Sequence, residues 1–197
     1  MSILGRLVPI FAAAVLASTA LAAESKNADS GGSGISAFSL GAGVSVPIGN
    51  DYVTLGNAAS YQGDLLVHVA SLGPSMPLRF SGFFTPFSVK DLPNSTANVD
   101  FIGILGGVEF RSPGGEGKIA PYFAAQVGGD YEFLVFSNSA TGNSQNATIN
   151  FAARLTPGLE IPFTPGFSLT AELPVTTFIG KRTTLLGGAA GTLRFRL

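Results

Sequence analysis

Along most of this chain apolar and polar residues alternate with a period of two, which restricts the fold more than any other feature. Over residues 35–48, Phe38, Leu40, Ala42, Val44, Val46 and Ile48 share one side, and Ser39, Gly41, Gly43 and Ser45 share the other. The same alternation runs through 118–136, 148–163, 167–175 and 192–197. Segments 64–72, 78–87 and 99–111 carry it less cleanly and bring the predicted strands to eight. Phe101 and Leu105 blur the last of these, and in the first Leu66, Leu72 and His68 fall on one side. Successive side chains of a strand point to opposite faces, so each segment has an oily face and a polar one.

Composition removes whole classes of alternative. The 197 residues include no cysteine, which rules out a disulfide scaffold and cysteine-ligated metal sites. A net charge of −1 without a basic cluster gives no electrostatic footprint for nucleic acid. A hydrophobic content of 46% is enough to drive burial of most of the chain. At the N-terminus Arg6, an apolar stretch over 7–17 and the sequence Ala20-Leu21-Ala22 read as a secretory signal peptide over 1–22. Residues 23–34 then form a flexible periplasmic tail, and 35–197 the folded unit. No later run is long and apolar enough for a membrane helix.

A chain can cross a bilayer without helices only as a closed β-barrel, because every backbone polar group must be paired internally. The predicted connections support that topology. From a periplasmic N-terminus they alternate long (49–63), short (73–77), long (88–98), short (112–117), long (137–146) and short (164–166), and end on an intermediate one (178–183). Alternation alone also fits a soluble calyx with its oily face inside. Charge and glycine choose between the two. Asp130, Glu132, Arg154, Glu160, Glu172, Arg194 and Arg196 all lie on the non-apolar face, together with Gly41, Gly43, Gly103, Gly107, Gly158, Gly188, Ala124, Ala152 and Ala190. A lipid-facing arginine near the midplane costs about 2–4 kcal/mol, and a narrow lumen needs small residues between a few large ones.

The expected interior therefore holds Arg79, Arg111, Arg154, Arg194 and Arg196 with Glu109, Asp130, Glu132, Glu160 and Glu172. Of these, Glu109, Glu160, Glu172 and the two C-terminal arginines are expected to form a network in the periplasmic half. Phe38, Phe110, Phe163, Phe167 and Phe195 fall near the periplasmic ends on the apolar side, and Tyr131 and Phe133 near the outer end, as aromatic girdles would. Pro157 sits inside a predicted strand and calls for a bulge there or an end to pairing at Thr156.

Signal peptide, eight alternating segments, loop phase and the terminal sequence GTLRFRL together resemble the small outer-membrane β-barrels of the OmpA transmembrane-domain, OmpX and OmpW type. The resemblance covers about 35–197 and implies an eight-stranded antiparallel up-and-down transmembrane barrel in the outer membrane. It implies outer-membrane lipid and the barrel-assembly machinery as partners, and no particular activity. The terminal residue is Leu197, with Phe195 two before it, where such families usually end in an aromatic residue.

Chemistry is sparse. His68 is the single histidine, Ser71 has the opposite parity, and Asp64 lies four residues away, about 13 Å along a strand. No nucleophile elbow, phosphate loop, dinucleotide fingerprint or metal spacing is present, so neither a cofactor nor an enzymatic activity is expected. Asp51, Asp91 and Asp100 are placed in outer loops. The sequence thus points to a barrel with a plugged lumen acting structurally or through its outer loops, whose extracellular partner it leaves open. The alternatives are a narrow pore or carrier for small hydrophobic molecules, a soluble periplasmic lipocalin-like barrel, and a lipid-modifying enzyme.

Overall fold

A computed structural model describes residues 33–48, 55–73, 75–89, 95–112, 118–138 and 142–197. The predicted signal peptide, most of the tail, Asp51 and Asp91 lie outside the described residues. The strands are β1 (Gly34–Pro47), β2 (Ala58–His68), β3 (Leu78–Val89), β4 (Ser95–Arg111), β5 (Ala120–Asn138), β6 (Gly142–Thr164), β7 (Phe167–Glu172), β8 (Val175–Ile179) and β9 (Thr183–Arg196). No helix among the described residues is long and apolar enough to cross a membrane.

All neighbours pair antiparallel in chain order, and β1 also pairs with β9, so the sheet closes on itself. Both β7 and β8 pair with β6 on one side and β9 on the other, so they are two halves of one stave and the barrel has eight. Following the register from Ala37 through Leu66, Arg79, Gly107, Gln126, Arg154, Thr176 and Leu186 leads back to β1 at Pro47, ten residues beyond the start. That stagger tilts the strands by about 35–45° and fixes an interior that side chains can fill.

Pro157 behaves differently from the sequence expectation. β6 runs through it without a bulge and pairs on to Thr164. The Pro157 carbonyl accepts from the Leu173 amide, so its missing N–H faces the seventh stave opposite Leu173. The seventh stave is itself interrupted there, at Leu173–Pro174. The segment expected at 64–72 starts earlier, at Ala58, and ends at His68, because 70–72 form a 3₁₀ turn closed by Gly73 at φ 77°. The connection expected at 178–183 shrinks to residues 180–182, and Asp100 belongs to β4 instead of a loop.

The two faces separate cleanly. Ile104, Ile149 and Phe163 are 73%, 68% and 61% exposed on the outside, whereas Arg79 and Arg194 are 1% and 0% exposed inside. A soluble calyx requires the reverse, so the lipocalin-like alternative fails on this observation. Rings of Phe38, Phe195, Phe167 and Phe163 contact one another successively around the periplasmic end, with centroids 4.9, 5.3 and 5.8 Å apart, the middle pair tilted and the other two stacked. Tyr61 stacks with Phe84, and Tyr131 with Phe133, towards the outer end.

Inside, large side chains lie beside glycine on the next strand. Arg79 pairs with Gly107, Phe83 with Gly103 and Tyr122 with Gly158. A Cβ on Gly103 would collide with the Phe83 ring, and one on Gly158 with the Tyr122 ring. The inward glycines are therefore the space that the large residues occupy.

Ile104 lies in the middle of β4, so Ile104→Arg is expected to cost about 2–4 kcal/mol in reversible urea unfolding from lipid vesicles. A water-exposed position would leave the midpoint unchanged.

Candidate functional site inside the barrel

Inward residues of every stave meet in a buried ionic layer in the periplasmic half. Its first centre is Asp64 on β2, whose carboxylate accepts from Ser39 Oγ at 2.8 Å, Ser81 Oγ at 2.5 Å and Arg79 Nη2 at 2.8 Å. Arg79 reaches on to Glu172 Oε1 at 2.8 Å and Glu109 Oε2 at 3.3 Å. Glu172 also accepts from Gln62 Nε2 and from the Tyr122 hydroxyl, both at 2.5 Å. Gln126 donates to Ser81 Oγ at 2.8 Å.

The second centre is Glu109, which Arg194 grips with both terminal nitrogens at 3.1 Å and Arg111 Nε meets at 2.7 Å. Arg194 continues to Glu160 Oε2 at 2.9 Å, and Arg196 and Ser168 bind the other oxygen of Glu160 at 2.7 and 2.5 Å. The Arg194 guanidinium also lies over the Tyr122 ring, 5.0 Å from its centroid. Charge-assisted, bidentate contacts of this kind are the strong class, and arginine's planar fork suits them. Every carboxylate in the layer meets at least one guanidinium, which a buried charge requires.

Above the ionic layer the lumen turns apolar. Phe83 packs on Phe178 with centroids 5.9 Å apart, Phe178 on Phe101 at 4.8 Å and Phe101 edge-on to Phe87 at 5.8 Å. Leu55, Ala58, Val99, Leu105, Ala152 and Leu186 complete this cluster. The residues that blurred the alternation of β4, Phe101 and Leu105, are thus inward-facing members of an aromatic layer.

The structure brings seven of the ten sequence-derived lumen residues into the network: Arg79, Glu109, Arg111, Glu160, Glu172, Arg194 and Arg196. Arg154, Asp130 and Glu132 also sit on inward positions but further out. The Arg154 Nε donates to Thr176 Oγ1 at 2.9 Å, and its guanidinium lies 4.5 Å from the Phe83 centroid. Asn150 donates to Glu132 at 3.3 Å. Asp130 is 2% exposed, and neither of its carboxylate oxygens finds a donor among the described residues.

Sequence reasoning missed Asp64, Gln62 and Tyr122. The signal of Gln62 and Asp64 appears once β2 is extended back to Ala58, where Ala58, Ser60, Gln62, Asp64 and Leu66 alternate with Ala59, Tyr61, Leu65 and Val67; Tyr122 shares the parity of Gln126 and Asp130 on β5. Among the described residues His68 hydrogen-bonds neither Ser71 nor Asp64, whose oxygens are engaged by Ser39, Ser81 and Arg79. No group of histidine and carboxylate residues suited to holding a metal occurs among the described residues.

No protein-family model matches this chain, and no curated protein matches it in sequence. Solved structures do match in shape. Neisserial surface protein A superposes with a TM-score of 0.57 at 13% identity, covering 84% of this chain and 99% of that one. The attachment invasion locus protein Ail of Yersinia pestis gives 0.57 at 13% identity, over 81% and 99% of the two chains. A major outer membrane protein of Thermus thermophilus gives 0.54 at 13% identity, over 82% and 99%. The fold is that of the small eight-stranded outer-membrane barrels. With an oily exterior, aromatic girdles and ionised residues sealed inside, this barrel resides in the outer membrane.

Replacing Arg79 by methionine strands Asp64 and Glu172 with neutral partners only, so Arg79→Met is expected to cost about 3–5 kcal/mol in vesicle-based unfolding. Adding Asp64→Asn to that variant should recover part of the loss, a non-additivity that two independent sites would not show.

Proposed function

We propose that this chain is a closed outer-membrane barrel that works through the surface it presents outside the cell, and not as a channel. The observation that carries the reading is the filling of the lumen by two successive layers. Arg79, Glu109 and Arg194 are at most 1% exposed in the ionic layer, as are Phe87, Phe101 and Phe178 in the aromatic layer. An ion entering from the periplasm would have to part a net of paired charges and then cross a packed apolar layer. A hydrophobic molecule entering from outside would pass the aromatic layer only to meet the ionic layer, which disfavours the carrier alternative.

What the barrel offers outside is an extended sheet. β5 and β6 pair from Ala120↔Glu160 out to Asn138↔Gly142, whereas β8 covers β6 only over 151–155. Residues 142–150 of β6 therefore present an edge that no described strand pairs. Of its exposed residues Ser144, Gln145, Asn146 and Ala147 are small or polar, and Ile149, nearer the barrel, is apolar. An edge with unpaired backbone donors and acceptors suits addition of an extended segment from a partner, and polar side chains keep it soluble until then. The barrel-assembly machinery and outer-membrane lipid complete the expected partners.

Planar-bilayer recording tests closure. The purified barrel should give no stepwise ionic current under applied voltage, and steady unitary currents would contradict the reading. On intact cells, externally added protease should cut within residues 139–147 and leave the membrane-embedded strands whole.

A further inference from the structure

The ionic layer is balanced without Arg154. Arg79, Arg111, Arg194 and Arg196 face Asp64, Glu109, Glu160 and Glu172, four cations against four carboxylates. Arg154 is the cation left over. It is 7% exposed, and among the described residues no carboxylate lies within ion-pair distance of it. Asp130 stands four residues along β5 from Gln126, the register partner of Arg154, or about 13 Å along the strand. Thr176 takes the Nε proton and the Phe83 ring lies against one face of the guanidinium, but the two terminal nitrogens donate to no described group.

Arg154 lines a cavity of about 20 Å³ that lies between the ionic and aromatic layers. Ser45, Ser60, Thr85, Thr176 and Gln62 line it too. Each hydroxyl can turn its proton inward, and the amide nitrogen of Gln62 is already committed to Glu172. The space suits a single water molecule or monatomic ion and is too little for sulfate, phosphate or a carboxylic acid of any length. Asp64 and Glu172 act on the Arg154 guanidinium only from beyond ion-pair distance and are already engaged by Arg79, and a neutral water molecule would add no charge beside it.

We propose that this cavity is a binding site for a single chloride-sized monovalent anion, held by the terminal nitrogens of Arg154 and the surrounding hydroxyl donors. The anion would supply a counter-charge in direct contact with the Arg154 guanidinium, and would make the barrel's stability depend on the identity of the salt.

Bromide supplies the probe. Crystals of the full barrel grown or soaked in sodium bromide should show an anomalous peak inside the lumen beside Arg154 and the Ser60 and Thr85 hydroxyls. Bromide peaks confined to the outer surface, or a non-anomalous water at the cavity, would overturn the proposal. In solution, chloride-35 resonance broadening by the folded barrel should be lost in Arg154→Gln, with the folded state checked by heat-modifiable gel mobility. Should Arg154→Gln not fold, the Ser60→Ala and Thr85→Val variants carry the same comparison. Broadening that persists unchanged in the folded variants contradicts the site.

Discussion

Hydrocarbon gives a peptide group nothing to bond with, so a sheet that enters it must leave no edge. The pairing of β1 with β9, from Ala37↔Arg196 to Pro47↔Leu186, is what removes the edge here. Most other features of the molecule follow from that closure. With eight staves and a stagger of ten residues, the interior is too narrow for water to fill and too wide for backbone to touch across it. Side chains must fill it, and they do so by pairing large with absent: Arg79 beside Gly107, Phe83 beside Gly103, Tyr122 beside Gly158.

What fills the lumen changes along its length for an electrostatic reason. Ionised groups are excluded from the lipid face by the cost of burying charge in hydrocarbon, so polar residues of the spanning strands gather inside. There they are stable only as a satisfied net, and Glu109 and Glu160 on neighbouring parts of the wall are joined through Arg194 into one. Towards the outer end the net gives way to phenylalanine, which needs no partner, with Phe83 packed beside Gly103. The two layers meet at Arg154, which touches Phe83 on one side and Thr176 on the other.

The periodicity of the sequence carried the architecture because lipid and lumen impose opposite chemistry on alternate residues, and parity therefore has a physical meaning at nearly every position. It was least informative where that opposition relaxes. Phe101 and Leu105 obscured β4 because the outer lumen is itself apolar, so both faces of the strand read as oily. Asp64 was weighed only against His68, and its place in the lumen was obscured because its strand begins at Ala58, in a stretch whose Gly63 and Ser60 look like loop. Residues 142–147 read as loop for a different reason: β6 continues beyond the bilayer, where alternation is no longer enforced. Pro157 suggested a bulge because its missing donor was weighed alone, whereas β6 keeps its register and the break falls in the stave opposite, at Leu173–Pro174.

The account turns on which face of the wall meets lipid, and the absence of tryptophan from the chain makes that directly measurable. Ile104 and Phe101 lie three residues apart on β4, one outward and 73% exposed, the other inward and 0% exposed. Single-tryptophan barrels carrying Ile104→Trp or Phe101→Trp can be folded into vesicles of phospholipid with brominated acyl chains, which quench on contact. The emission of the tryptophan at 104 should be strongly quenched and that at 101 nearly untouched. Quenching at 101 that equals or exceeds that at 104 would mean that the barrel is turned the other way.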